Sequence, residues 1–168
     1  IAGLITPWNL PLYLLSWKIA PAIVMGNTVI AKPSELTPLT ANLLAEVIHE
    51  VGLPKGVVNI VHGLGSDVGQ AIVEHPKINL ISFTGGTDTG KKVAETAAPM
   101  FKKLSLELGG KNATIVLDDA DIEATIPGIA RSGFLNQGQV CLCGSRVFVS
   151  KKIWDDFVPK FVNYVKNM

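Results

Sequence analysis

Short apolar and β-branched runs alternate with helical patterns along most of this chain, and that alternation restricts the fold more than any other feature. Ile1 to Ile5, Thr28 to Ala31, Val57 to Val61, Asn79 to Phe83 and Ala113 to Leu117 read as strands. Their apolar continuity predicts burial on both faces. Thr37 and Pro38 offer a cap and a first-turn proline for a helix with the stripe Leu39, Leu43, Leu44, Val47 and Ile48, ended by Gly52. Ser66 is expected to cap the next helix, which carries Val68, Ala71 and Ile72 and closes before Pro76. A third should run from about Asp88 through Ala98, stopped by Pro99. Strand and helix repeating at this spacing indicate βαβ units, and hence an α/β fold on an open, mainly parallel, Rossmann-like sheet with flanking helices.

The rhythm pauses at Gly109-Gly110, after Leu104-Ser105-Leu106-Glu107-Leu108, which sets an expected boundary between a first domain at 1–109 and the start of a second at 110–168. In the second, Asp121 caps a helix running toward Leu135, and Val147-Phe148-Val149 is a strand. Ser150 is expected to cap a last helix with Ile153, Phe157, Val158, Phe161 and Val165 on one face. A chain that opens inside an apolar strand and closes in an amphipathic helix reads as an internal fragment of something longer.

Composition removes several classes of function. Fifteen Lys and Arg against 14 Asp and Glu give a formal charge of +1, which supplies no attraction to phosphate backbones or anionic lipid, so neither nucleic acid nor a membrane is an expected partner. The apolar run Leu10 to Trp17 is broken by Pro11 and Ser16 and followed by Lys18, short of the roughly 20 residues a spanning helix needs. The two cysteines, Cys141 and Cys143, are too close for an ordinary bridge, and this usage fits a reducing compartment, the cytoplasm by default. His49, His62 and His75 show no ligand spacing, and two thiols without a second pair make a poor zinc site, so no metal is expected.

Four segments carry possible chemistry. Phe83-Thr84-Gly85-Gly86-Thr87-Asp88-Thr89-Gly90 joins a strand to a helix start, where backbone N–H groups and the helix dipole can meet a phosphate. Gly85, Gly90 and Lys91 also satisfy a P-loop spacing, and Asp118 ends an apolar strand as a magnesium ligand would. Lys92, however, stands where that loop needs a hydroxyl. Lys32-Pro33-Ser34-Glu35 places a cation and an anion past a strand's carboxyl end. With a dinucleotide bound there, Lys32 and Glu35 could hydrogen-bond the adenosine ribose, and Glu35 would repel a 2′-phosphate, favouring NAD over NADP. In the turn Thr6 to Pro11, Asn9 can donate to an oxyanion while staying neutral, and Trp8 could form part of a cofactor wall. Cys141, flanked by Gly138 and Gly144 and preceded by Glu107, supplies a thiol and a carboxylate suited to covalent chemistry on a carbonyl, with Val140 and Leu142 expected to turn toward a core. Cys143 reads as structural.

In chain order, Thr6-Pro7-Trp8-Asn9, Lys32-Pro33-Ser34-Glu35, Phe83 to Gly90, Leu106-Glu107-Leu108-Gly109-Gly110-Lys111 and Asn136-Gln137-Gly138-Gln139-Val140-Cys141 resemble the NAD(P)-dependent aldehyde dehydrogenase superfamily. The resemblance implies an NAD-linked oxidation of an aldehyde or semialdehyde to a carboxylic acid, through a thioester on Cys141 that Glu107-activated water hydrolyses. Asn9 and the Cys141 N–H would form the oxyanion hole. It further implies that Trp8, Lys32, Ser34, Glu35, Gly65, Gly69, Phe83, Thr84, Gly85, Gly86, Gly90, Leu108 and Gly109 line the cofactor. Gly86 stands where the family often has Ser. The resemblance also implies a homodimer or homotetramer. The alternatives are a coenzyme A-acylating dehydrogenase, a non-catalytic NAD-binding fragment and a P-loop nucleotidase.

Overall fold

The computed structural model describes residues 1–168, which divide into two compact units, Ile1–Gly109 and Gly110–Met168. In the first unit, β1 (Ala2–Ile5), β2 (Val29–Lys32), β3 (Val58–Ile60), β4 (Leu80–Gly85) and β5 (Lys103–Leu108) form a five-stranded parallel sheet in the order β3-β2-β1-β4-β5. The helices are α1 (Pro11–Val24), α2 (Leu39–Glu50), α3 (Gln70–Glu74) and α4 (Thr87–Ala97). The open, parallel α/β sheet read from the sequence is therefore the sheet observed.

Period-two alternation assigns the helices to the two faces. Ala2, Leu4, Val29 and Ala31 pack with Leu15 and Ile19 of α1 and Ala41 of α2. Ile5, Ile81 and Phe83 point the other way, onto Ile72 and Val73 of α3 and Val93 and Ala97 of α4. Each of the Val, Leu, Ile and Phe side chains among these contributes about 1.5–3 kcal/mol when fully buried. β1, closed in by both layers, is buried at all four positions. The order in which strands are added reverses between β1 and β4: β2 and β3 lie to one side of this pair, β5 to the other. Open parallel sheets bind ligands beyond the carboxyl ends of the strands at such a switch.

Two elements differ from the sequence reading. The run after Leu10 is a helix, α1, with Pro11 in its first turn, where a missing N–H costs nothing. Lys103–Leu108 is a full strand, since Leu104, Leu106 and Leu108 pack on the α3–α4 core while Ser105 and Glu107 take the opposite face. Three expected caps also fail. Thr37 is displaced by Pro38 at the N-cap of α2, and the Thr37 hydroxyl is buried without a partner. Ser66 lies inside a wide helical turn, Gly65–Gly69, that leads into α3. Ser150 precedes α6 (Trp154–Lys166) by a turn, and Ile153 is the N-cap there.

The second unit is one βαβ crossover and a closing helix: β6 (Ala113–Val116), α5 (Ile122–Phe134), β7 (Arg146–Val149) and α6. Asp121 caps α5 as expected, accepting from the Ala124 N–H at 3.1 Å. Val116, Ile126, Ile129 and Phe157 form its core. The expectation of two buried faces fails for β6, because both helices cover one face and Ile115 is 69% exposed on the other.

Candidate active site and cofactor cleft

At the carboxyl ends of β1 and β4, a cleft of about 400 Å³ opens between Ile5, Gly65, Gly69, Phe83, Thr89 and Lys92. It gathers three residues singled out in the sequence: Gly65, Gly69 and Phe83. A side chain at Gly65 or Gly86 would project into open space, so both glycines leave room beside the backbone. Next to the cleft, Lys32 is buried with its stem 3.8 Å from where a Gly69 Cβ would lie. Its Nζ donates to the Pro33 carbonyl at 2.8 Å, the Gly63 carbonyl at 2.9 Å and Glu35 Oε2 at 3.2 Å. Glu35 is exposed, and its carboxyl is held below the ordinary range first by its own backbone N–H and then by Lys32. Ser34 is buried, and its Oγ accepts from the Leu36 N–H at 3.3 Å, which shapes the turn.

The glycines of the β4–α4 turn have separate reasons. Gly86 is the N-cap of α4. Gly85 lies under the Phe83 ring, where a Cβ would fall 2.5 Å from Cζ. Gly90 sits one turn into α4 and packs on Leu108, whose Cδ2 would be 2.3 Å from an added Cβ. The P-loop spacing is thus coincidental: β4 ends at Gly85 and α4 starts at Thr87, so Gly90 and Lys91 are helical and no loop remains to wrap a phosphate.

Glu107 lies on the sheet face opposite the α3–α4 core. Its Oε2 accepts from Thr84 Oγ1 at 3.0 Å, directly across the β4–β5 register. It borders a second cleft, of about 360 Å³, with Trp17, Lys18, Ser82 and Ser105. Lys18 is 5% exposed and donates to Ser82 Oγ at 2.8 Å. Burial pushes its ammonium below the ordinary lysine value, and the Glu107 charge pulls partly the other way. Sequence reasoning passed over Lys18 and Ser82, although a lysine on the inward stripe of an apolar helix is itself a signal. Trp8 is 43% exposed and Asn9 half-buried, both in the turn ahead of α1, while Gly109 ends the unit. Thr6, the residue after β1, is buried with a hydroxyl that has no partner.

Cys141 belongs to the second unit, exposed on a turn. Asn136, Gln137 and Gly138 carry φ values of +52°, +55° and +73° in succession. A left-handed conformation costs a non-glycine residue about 1–2 kcal/mol, so the surrounding structure must hold this segment in place. Asn112 does part of this, with Nδ2 donating to the Cys141 carbonyl at 2.7 Å and the Cys143 carbonyl at 3.3 Å. Gly144 contributes too, its N–H donating to the Ser132 carbonyl at 3.2 Å, as does the Gln139 N–H, which donates to the Asn136 carbonyl at 2.9 Å. A Cβ at Gly144 would fall 2.2 Å from Thr114 Oγ1, so close packing within the protein already requires glycine there. Cys143 is buried, whereas Leu142 is 79% exposed, which corrects the expectation that it turns into a core. The three histidines are exposed. No helix is long and apolar enough to cross a membrane.

A family model described as "Aldehyde dehydrogenase family" matches residues 1–168. The chain is 57% identical over 162 residues to human 2-aminomuconic semialdehyde dehydrogenase, covering 96% of this chain and 33% of that protein. It is 52% identical over 167 residues to mouse retinaldehyde dehydrogenase 3, covering 99% and 33%. The structure of an aldehyde dehydrogenase from Bacillus cereus in complex with NAD+ superposes with a TM-score of 0.96 at 44% identity, covering 99% of this chain and 34% of that one. The chain thus spans about a third of the length of these proteins.

Proposed function

Because this chain belongs to the aldehyde dehydrogenase family, we propose that it carries the cofactor cleft and the reacting thiol of an enzyme that oxidises an aldehyde or semialdehyde to a carboxylic acid with NAD. The observation that carries this reading is that one family-matched chain holds both an exposed Cys141 on a conformationally forced turn and, on a strand of the other unit, Glu107. The relatives named for semialdehyde and retinaldehyde oxidation, and the NAD+ bound to a structural neighbour, support the same class.

The residues present fit NAD. Gly65, Gly69 and Phe83 border a cleft at the switch of a parallel sheet, room is left beside Gly65 and Gly86, and the buried Thr6 hydroxyl next to β1 lacks a partner. Lys32 and Glu35 would hold the adenosine ribose; since all three Nζ donors of Lys32 are engaged, the 3.2 Å contact to Glu35 is the one that would yield to a hydroxyl. Trp8, Ser34, Thr84, Gly85, Gly90, Leu108 and Gly109 complete the proposed cofactor environment, Gly90 by setting the position of Leu108. When bound, NAD supplies the hydride acceptor.

In the proposed chemistry the Cys141 thiolate adds to the aldehyde carbon, and the oxyanion so formed is stabilised by the Asn9 amide and the Cys141 N–H. After hydride departs, the acyl group remains on sulfur as a thioester. Glu107 takes a proton from water, whose oxygen attacks the acyl carbon; the C–S bond breaks, releasing the carboxylic acid and the thiolate. Such a base serves transfer to water rather than to coenzyme A.

Reduced nicotinamide formation by the intact protein, with aldehydes and semialdehydes as substrates, tests the reading. Turnover should require NAD and vanish in Cys141→Ala while NAD still binds. Glu107→Gln should keep a stoichiometric first burst and lose the steady state. Unchanged turnover in Cys141→Ala, or acceleration only on adding coenzyme A, would overturn it.

A further inference from the structure

The cleft at the carboxyl ends of β1 and β4 draws apolar surface from Ile5, Phe83 and Val93, which suits a flat heteroaromatic ring, and it also carries polar side chains that no step above uses. Ser66 and Thr89 bring hydroxyls, which rotate to donate or accept, and Lys92, which enters no ion pair, only donates. Gln70 is different. At the start of α3 its Nε2 donates to Glu74 Oε1 at 2.7 Å, one helical turn further on. A carboxylate only accepts, so this contact fixes the amide with its nitrogen toward Glu74 and leaves Oε1, a pure acceptor, on the other side. A pair at this spacing supports a short helix by itself. It leaves unexplained why an amide of set orientation lines an otherwise largely apolar cleft.

Lys32 and Glu35, proposed to hold the adenosine ribose, adjoin this cleft at Gly69, where a Cβ would lie 3.8 Å from the Lys32 stem. The base on that ribose has the cleft beside it, and Gln70 is the next residue after Gly69. Adenine presents an exocyclic amine that donates, next to ring nitrogens that accept. Oε1 of Gln70 suits the amine, and Lys92 suits a ring nitrogen. Hypoxanthine has a carbonyl oxygen in place of that amine, which sets acceptor against acceptor at Gln70 while still offering Lys92 a partner.

We propose that Gln70, its amide oriented by Glu74, accepts from the exocyclic amine of the NAD adenine and so selects this dinucleotide over one with a 6-oxopurine base. Glu74 is a positioning residue. This inference rests on the dehydrogenase reading above and adds recognition of the base to its cofactor cleft.

The test is the dissociation constant of the intact protein, by titration calorimetry, for NAD and for nicotinamide hypoxanthine dinucleotide, which differ only at that position of the purine. Wild type should bind NAD more tightly by about threefold to tenfold, the effect of one neutral hydrogen bond. Gln70→Leu should weaken NAD by the same factor and leave the hypoxanthine dinucleotide within about twofold, so that the ratio falls close to one. Glu74→Gln offers the Gln70 amide a donor as well as an acceptor, and so lets it turn its nitrogen to the purine oxygen. That variant should bind the hypoxanthine dinucleotide more tightly than wild type does, a gain that a purely structural helix contact would not give. Retained binding of the hypoxanthine dinucleotide reports that each variant folds. A wild type that does not distinguish the two, an unchanged ratio in Gln70→Leu, or equal weakening of both would overturn the Gln70 assignment while leaving the dehydrogenase reading intact. Wild type that binds neither dinucleotide would overturn both.

Discussion

Thr84 and Glu107 face each other across the β4–β5 pair, with Thr84 Oγ1 donating to Glu107 Oε2 at 3.0 Å. The register makes this contact a property of the sheet rather than of a loop, so the proposed base is positioned by strand pairing. Thr84→Val keeps the shape and removes the donor. Its expected effect is a loss of about tenfold in the deacylation rate, since a hydrogen bond to a charged group contributes about 1.5–3 kcal/mol. Rapid-mixing traces that show an intact first burst and a slowed steady state would support it. Equal slowing of both phases would show that the contact does not act on deacylation.

Gly144 is packed against Thr114, and the contact joins the Cys141 turn to β6. Gly144→Ala would place its Cβ 2.2 Å from Thr114 Oγ1 and 3.0 Å from Ser132 Oγ. Overpacking of this kind typically costs about 1–3 kcal/mol, read as a lower Tm. Thr114→Ala in the same protein removes the nearest atom and should recover most of the loss. A double-mutant cycle with no coupling would show that the turn relaxes away from β6.

Both contacts join residues far apart in the sequence, and this marks where reading the chain falls short. Strands β1 to β4, the cap at Asp121 and the αβ rhythm are local signals, legible from apolar runs and turn residues alone. β5 was legible too, in the alternation of Leu104, Leu106 and Leu108 with Lys103, Ser105 and Glu107, but the glycines after it drew attention to a boundary instead. α1 was hidden because Lys18 interrupts its inward stripe of Leu14, Leu15 and Ile19. The proposed site residues stood out by type, whereas their supports Ser82, Asn112 and Thr114 did not. Which hydroxyl or amide meets which partner depends on sheet register and crossover, and no short stretch encodes that.

Glu35 should govern the choice between dinucleotides. Its carboxyl stays ionised at neutral pH, held low by its own backbone N–H and by Lys32, so its charge would face any 2′-phosphate on the ribose. Glu35→Gln removes the repulsion and keeps a partner for Lys32. The ratio of kcat/KM for NAD to that for NADP should fall by about tenfold, corresponding to roughly 1.4 kcal/mol at this exposed position. Dissociation constants for the two dinucleotides would check it without turnover. An unchanged ratio would move phosphate discrimination elsewhere in the cleft.

Lys18 should leave a signature in stability against pH. Burial lowers its native pKa below the ordinary 10.5, so between that lowered value and 10.5 the unfolded chain binds more protons than the native one. Stability contributed by this residue therefore rises as pH climbs through that window, and at neutral pH the native state bears the cost of a desolvated charge. The attraction of Glu107 reduces the effect without reversing it. Lys18→Met keeps the stem that packs under β1 and β4 and removes the titration. Relative to wild type, the variant should be most favoured near neutral pH, and its advantage in Tm should shrink toward alkaline pH as wild-type Lys18 loses its proton. Taking the difference between the two proteins cancels the common titration of the other lysines. A difference that stays constant from about pH 7 to about pH 10 would show that Lys18 carries the same charge in the folded and unfolded protein throughout that range.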